Sequence, residues 1–209
     1  MDKNLEKYLT DHTTPEDPLL EDLYRQTHIR FVNPNMVSGH GQGKLLEMIS
    51  YMINPMTILE IGTFTGYSAI CLAKGLKPEG KLITIEKNDE LTSFAESYFN
   101  KSGLGNRIEQ ITGDAIRVIP ELDYVFDLIF IDGDKREYCD YFKAVIGKVR
   151  PGGFILADNV LWGGKALEKD SNDQQTKGII EFNSMISQNN DLVNCILPVR
   201  DGLMIIKKK

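Results

Sequence analysis

Between residues 57 and 158, short apolar runs alternate with segments of helical periodicity, and this alternation constrains the fold more than any other feature of the chain. The runs at 57–61, 81–86, 108–112, 126–132 and 153–158 read as strands, and 67–75, 89–100, 115–122 and 138–149 as the helices between them. Leu128-Ile129-Phe130-Ile131 is apolar without alternation, the pattern of a strand covered on both faces. Repeated strand-helix-strand order predicts right-handed crossovers and a parallel sheet. After a helical pattern at 174–187, runs at 194–199 and 203–207 are separated by Arg200-Asp201-Gly202 and its flank. That is hairpin length, so this pair should be antiparallel. The expected fold is α/β: a doubly wound, mostly parallel seven-stranded sheet with an antiparallel C-terminal hairpin.

No repeat, low-complexity tract or Pro/Gly/Ser linker divides the chain, so residues 1–209 are expected to form a single domain. Residues 1–35 read as a polar, helical leader in which Leu19, Leu20, Leu23 and Thr27 share one face. A second helical pattern at 42–54 carries Leu45, Leu46, Ile49, Met52 and Ile53 and ends at Pro55. A chain of 209 residues buries enough surface to fold without disulfides or structural metal. The balance of 24 Lys plus Arg against 30 Asp plus Glu leaves a net charge of −6 and no phosphate-neutralising excess, so nucleic acid is not an expected partner. Cys71, Cys139 and Cys195 have no C-x-x-C spacing, which points to a reducing compartment. The N-terminus has no apolar secretory core, and no run approaches the ~20 residues of a membrane span. A soluble, cytoplasmic protein without a membrane partner is expected.

Ligands of such sheets collect at the carboxyl ends of the strands. The first strand exits through Glu60-Ile61-Gly62-Thr63-Phe64-Thr65-Gly66-Tyr67-Ser68, a glycine turn into a helix N-terminus that lacks the G-x-G-x-x-G spacing of a pyrophosphate cradle. The second ends at Glu86, placed to accept from ribose hydroxyls or to sit on the surface beside Lys87. The third leads to Gly113-Asp114-Ala115, suited to an adenine edge, although Asp114 can equally cap the next helix. Together the three exits describe an adenosine pocket without a diphosphate. The fourth ends in Asp132-Gly133-Asp134-Lys135 and the fifth in Ala157-Asp158-Asn159. Neighbouring parallel strands would bring Asp132, Asp158 and Asn159 together as hard oxygen ligands for Mg²⁺, Mn²⁺ or Ca²⁺, unless these residues merely cap turns. His40, between two glycines, is expected on a flexible turn, and no triad, nucleophile elbow or P-loop is apparent.

The set Glu60 to Ser68, Asp132 to Lys135 and Asp158-Asn159-Val160-Leu161-Trp162-Gly163-Gly164 resembles the cation-dependent, S-adenosylmethionine-dependent O-methyltransferases. That family includes caffeoyl-CoA O-methyltransferase and, more distantly, catechol O-methyltransferase. The resemblance runs from about Met36 to the final hairpin and implies a Rossmann-like class I methyltransferase fold. It implies that Glu60, Gly62, Thr63 and Ser68 hold the methionine part of the cofactor, with Val37 closing over it. Glu86 would take the ribose hydroxyls and Asp114-Ala115 the adenine. Asp132, Asp158 and Asn159 would bind the divalent cation, Mg²⁺ first, with Asp132 also near the cofactor amine. Lys135 matches the catalytic lysine, as general base or as a cation that stabilises the phenolate, with Asp132 beside it as the second catalytic residue. A homodimer is also implied, with the leader and the 42–54 helix as contributors. Gly133 stands where the family often has Ala, a small change expected to leave the site intact. The glycine-rich 38–43 segment and the short leader favour a small catechol-like phenol over a CoA thioester, within a catechol-like or caffeoyl-type acceptor class. The alternatives are an NAD-dependent dehydrogenase, opposed by the missing G-x-G-x-x-G, and a non-catalytic adenosine-binding module.

Overall fold

A computed structural model describes residues 3–168 and 171–209. The first two residues of the expected leader lie outside the described ones. Eight α-helices and seven strands follow one another as α1 (Lys3–Asp11), α2 (Pro18–Arg30), α3 (Gly39–Ile53), β1 (Thr57–Ile61), α4 (Tyr67–Ala73), β2 (Lys81–Glu86), α5 (Thr92–Lys101), β3 (Ile108–Thr112), α6 (Ala115–Glu121), β4 (Phe126–Ile131), α7 (Tyr138–Ile146), β5 (Val149–Asp158), α8 (Gln174–Ser187), β6 (Leu192–Leu197) and β7 (Leu203–Lys208) among the described residues. The sheet order is β3-β2-β1-β4-β5-β7-β6. β1 to β5 pair in parallel, β6 and β7 pair antiparallel as the spacing of the last two runs predicts, and β7 inserts antiparallel between β5 and β6.

Helices cover both faces. Ile129 and Ile131 of β4 pack with α6, α7 and α8 through Ile119, Phe142 and Phe182. Leu128 and Phe130 point to the other face, against Leu46 and Ile49 of α3 and Ile70 of α4. All four β4 residues are fully buried, which explains an apolar run without alternation. Truncating one of them, such as Phe130→Ala, should cost about 3–5 kcal/mol.

The leader is less peripheral than its polarity suggests. Leu20 and Leu23 of α2 belong to the same apolar layer as α3 and α4. Asp17 caps α2 by accepting from Leu19 N at 3.0 Å, and Lys74 donates to it at 3.1 Å. Tyr98 donates to Asp22 at 2.6 Å, and Thr27 to Thr65 at 3.0 Å. Asp17, Asp22 and Thr27 thus anchor a segment whose other polar side chains are mostly exposed.

Three local expectations are corrected. β5 starts at Val149 rather than at 153, because the breakers Pro151, Gly152 and Gly153 form a bulge instead of ending the strand. Asp127 secures that bulge, accepting from Arg150 Nε at 2.5 Å and from the backbone of Met56 and Thr57. His40 lies in the first turn of α3, not on a flexible turn, and its Nε2 bonds to Thr14 O at 2.9 Å. Of the stripe expected to serve a dimer contact, Leu46 and Ile49 are buried in the core, whereas Met52 is exposed. Met48 and Tyr51 join Met52 on the exposed side of α3.

Candidate active site

The carboxyl ends of β1 to β5 open onto one cavity of about 890 Å³. Val37, Gly62, Thr63, Ser68, Glu86, Asp114, Ala115, Asp132, Lys135, Asp158 and Asn159 all line it. Among the described residues, five of the six non-glycine positions with positive φ also line it: Asn33, Phe64, Asn159, Trp162 and Arg200. Backbone held in this sparsely populated region concentrates at ligand sites, so the cavity is where the fold stores its strain.

At the first strand end, Gly62 has φ +96°, and a Cβ there would collide with the carbonyl of Asp132. The glycine thus lets β1 and β4 exit side by side. Glu86 is clamped by backbone donors, from Phe64 N at 2.8 Å and Asn88 N at 2.9 Å. Each carboxylate oxygen keeps a further lone pair for a hydroxyl. Asp114 accepts from Ile116 N at 3.0 Å, so it is the cap of α6 while it also lines the cavity.

Glu60 departs from expectation. It is fully buried and does not line the cavity; it accepts from Ser68 Oγ at 2.6 Å and Thr84 Oγ1 at 2.5 Å. Its strand parity turns the side chain into the interior behind the wall, where it orients Ser68 rather than reaching a ligand. Burial pushes its carboxyl from 4.5 up to about 8, against the two hydroxyl bonds that lower it. Thr63 joins this buried network through a 2.6 Å bond to Thr84.

At the β4 and β5 ends, Lys135 is nearly buried and donates to Asp132 Oδ1 at 2.8 Å and to the Tyr138 hydroxyl at 2.7 Å. Tyr138 in turn donates to the Asp158 carbonyl at 2.9 Å. Asp158 Oδ2 accepts from Gln42 Nε2 at 2.6 Å, whereas Oδ1 is buried with no partner. Burial, then the charge of Asp132, lifts the Asp158 carboxyl from 3.8 to about 6. Asn159 has φ +58°. Among the described residues no three His, Cys, Asp or Glu side chains form a metal cage, so any cation here would rest on two carboxylates and an amide. Gly133 is also not an indifferent position, because an added Cβ would lie 2.8 Å from the Tyr141 ring.

Three residues in this half escape the sequence reading. Tyr138 lies three positions beyond Lys135, a spacing that puts both on one helical side. Gln42 and Arg200 carry no local signal, since they meet Asp158 and each other across the fold.

The model of a family described as O-methyltransferase matches residues 10–209. The chain belongs to the O-methyltransferase family. A catechol O-methyltransferase of Niastella koreensis is 37% identical over 162 residues, 76% of this chain and 71% of that protein. A caffeoyl-CoA O-methyltransferase of Petroselinum crispum is 30% identical, covering 83% of this chain and 77% of its own. Among solved structures, the O-methyltransferase TomG of Streptomyces achromogenes, involved in tomaymycin synthesis and in complex with S-adenosylmethionine, superposes with TM-score 0.93 at 30% identity over 100% of both chains. An O-methyltransferase of Bacillus cereus in complex with S-adenosylhomocysteine gives TM-score 0.90 at 30% identity, over 99% of this chain and 97% of that one. Family membership displaces the dehydrogenase alternative.

Proposed function

We propose that this O-methyltransferase moves the methyl group of S-adenosylmethionine to a phenolic hydroxyl of a small catechol-like or caffeoyl-type acceptor, with the aid of a divalent cation. The observation that carries the reading is the single cavity in which the Glu86 and Asp114 wall faces the cluster of Asp132, Lys135, Asp158 and Asn159. The donor set fits a hard cation, Mg²⁺ before Mn²⁺ or Ca²⁺. An unpartnered, buried Asp158 oxygen is costly unless a ligand satisfies it. Asp132, Asp158 and Asn159 would hold the cation. When bound, it supplies Lewis acidity toward a phenolic oxygen.

Glu86 presents its remaining lone pairs to ribose hydroxyls, the Asp114-Ala115 turn borders the adenine, and Gly62, Thr63, Ser68 and Val37 border the methionine part. Ionising a phenol of pKa about 10 at pH 7 costs roughly 4 kcal/mol. Lys135 works on that cost, its Nζ fixed by Asp132 and Tyr138 and used as a donor to negative charge growing on the acceptor oxygen. Holding donor and acceptor in near-attack geometry is worth about 7–11 kcal/mol, so the walls contribute more than the lysine.

We also read the chain as one domain, since α2 supplies core residues. A homodimer is proposed, with the leader and the exposed Met48, Tyr51 and Met52 face of α3 as contributors. Light scattering showing a monomer at micromolar concentration would remove that claim. Three free cysteines fit a reducing cytoplasm, and no helix among the described residues is long and apolar enough to cross a membrane.

Methyl-labelled S-adenosylmethionine should transfer label to members of an array of phenols, with and without CoA esters, when Mg²⁺ or Mn²⁺ is supplied. A chain that retains the cofactor and labels no phenol would overturn the phenolic acceptor.

A further inference from the structure

Arg200 lies in the turn between β6 and β7 with φ +49°, a conformation that a residue with a long side chain rarely adopts. Its Nη1 donates to Gln42 Oε1 at 2.6 Å, to Val37 O at 3.3 Å and to Ser38 O. All three acceptors belong to the 37–42 segment, 158 or more residues earlier in the chain. Gln42 is buried and donates through Nε2 to Asp158 Oδ2 at 2.6 Å. A guanidinium can only donate and a carboxylate can only accept. The amide between them therefore has one satisfactory orientation, with its oxygen toward Arg200 and its nitrogen toward Asp158. The flipped amide would set donor against donor and acceptor against acceptor. Since Gln42 occupies Oδ2 of Asp158 and leaves Oδ1 without a partner, the amide decides which carboxylate oxygen is left for a ligand.

We propose that Arg200 is a positioning residue: it locks the Gln42 amide, and through it the Asp158 carboxylate, while the same nitrogen clasps the 37–38 backbone at the cavity wall. The proposal rests on the reading of Asp158 as a cation ligand. It predicts that one side chain couples two properties, cation affinity through Gln42 and cofactor retention through the segment bearing Val37. Outer hydrogen-bond partners of ligating carboxylates orient them, and their loss weakens metal binding.

Mn²⁺ binding to the full chain without acceptor, read by electron paramagnetic resonance, and S-adenosylmethionine binding, read by calorimetry, test this without any turnover. Arg200→Ala should lower Mn²⁺ affinity on the order of tenfold and also weaken the cofactor. Gln42→Leu should lower Mn²⁺ affinity at least as much and leave the cofactor less affected, because the backbone clasp remains. In the double variant the Mn²⁺ loss should be no larger than in Gln42→Leu alone, since both act along one path. Arg200→Lys, which keeps a charged donor at a different reach, should recover only part of either affinity. Should Arg200→Ala fail to fold, Arg200→Lys and Gln42→Leu carry the same test. A folded Arg200→Ala chain with unchanged Mn²⁺ affinity, or losses that multiply in the double variant, would overturn the coupling while leaving the cation site standing. If the unaltered chain binds no Mn²⁺, the cation reading itself falls and takes the coupling with it.

Discussion

At the ends of β2 and β3, the acidic residues of the cavity are held by backbone. Glu86 is fixed by the amides of Phe64 and Asn88, and Asp114 by the amide of Ile116. At the ends of β4 and β5, they are held by side chains: Lys135 on Asp132 and Tyr138, Gln42 on Asp158, Arg200 on Gln42. A backbone amide does not move when a neighbour is substituted, whereas a buried side-chain network loses several partners at once. The cofactor half should therefore tolerate change with graded losses, and the acceptor half should fail steeply.

The steepest expected failure is cation removal. Exhaustive chelation should abolish turnover, Mg²⁺ or Mn²⁺ should restore it, and Asp158→Ala should resist restoration. Full turnover after chelation would place the acceptor half on the same graded footing as the cofactor half. Next comes Lys135→Ala, which leaves all three proposed ligands in place. Turnover should fall about 10²–10³-fold with cofactor affinity unchanged. Raising the pH should partly rescue the variant on phenols, because more acceptor is then ionised unaided. Near-normal turnover at neutral pH would reduce Lys135 to a structural tie between Asp132 and Tyr138.

Both halves are legible at strand ends, Asp132, Lys135, Asp158 and Asn159 as much as Glu86 and Asp114. What the sequence hides is the side-chain network at the ends of β4 and β5. Glu86 and Asp114 act within a few residues of a strand end, so strand periodicity alone locates them. The parallel crossovers and the antiparallel hairpin follow from the same local signals, but the start of β5 does not, because Asp127 secures a bulge at 150–153 that carries the strand back to Val149. Glu60 looks from its motif like a cavity residue, but strand parity buries it, and parity at a strand's last turn is weakly encoded. Gln42 and Arg200 are silent because their roles exist only after β7 has inserted beside β5.

Glu60 lies behind the wall, and the charges of both Asp132 and Glu86 add to the upward push on its carboxyl. Its ordinary value of 4.5 becomes about 8 in the folded chain, so the folded state holds the proton more tightly than the unfolded state does. Stability should then fall as pH rises from about 4.5 toward 8 on this account. Glu60→Gln, which cannot ionise, should flatten that slope in denaturant titrations at pH 5 and pH 8. An unchanged slope would mean that the carboxyl ionises freely where it sits. A smaller effect is expected from Glu86→Ala. Losing hydrogen bonds to a charged group costs about 1.5–3 kcal/mol, so cofactor affinity should drop with kcat at saturation unaffected. A fall in kcat would show that the two halves are not separable.

The smallest effect expected is that of Gly133→Ala, which probes how tightly the acceptor half is packed. Gly→Ala removes unfolded-state freedom and on that ground alone stabilises by about 0.4–1 kcal/mol. Against this, the new Cβ would sit 2.8 Å from Tyr141 Cε2 and 3.0 Å from its hydroxyl. Tyr141 is buried and tied to Glu137 by a 2.6 Å bond, so the ring cannot swing away without loosening that bond. Overpacking of a buried site costs about 1–3 kcal/mol, which exceeds the entropic gain. The net should be a lowered Tm corresponding to about 1 kcal/mol. Because Tyr141 lines the cavity beside Lys135, acceptor KM should rise while cofactor affinity stays constant. A raised Tm with unchanged acceptor KM would mean that Tyr141 yields at no cost, and that the acceptor wall is as forgiving as the backbone-held one.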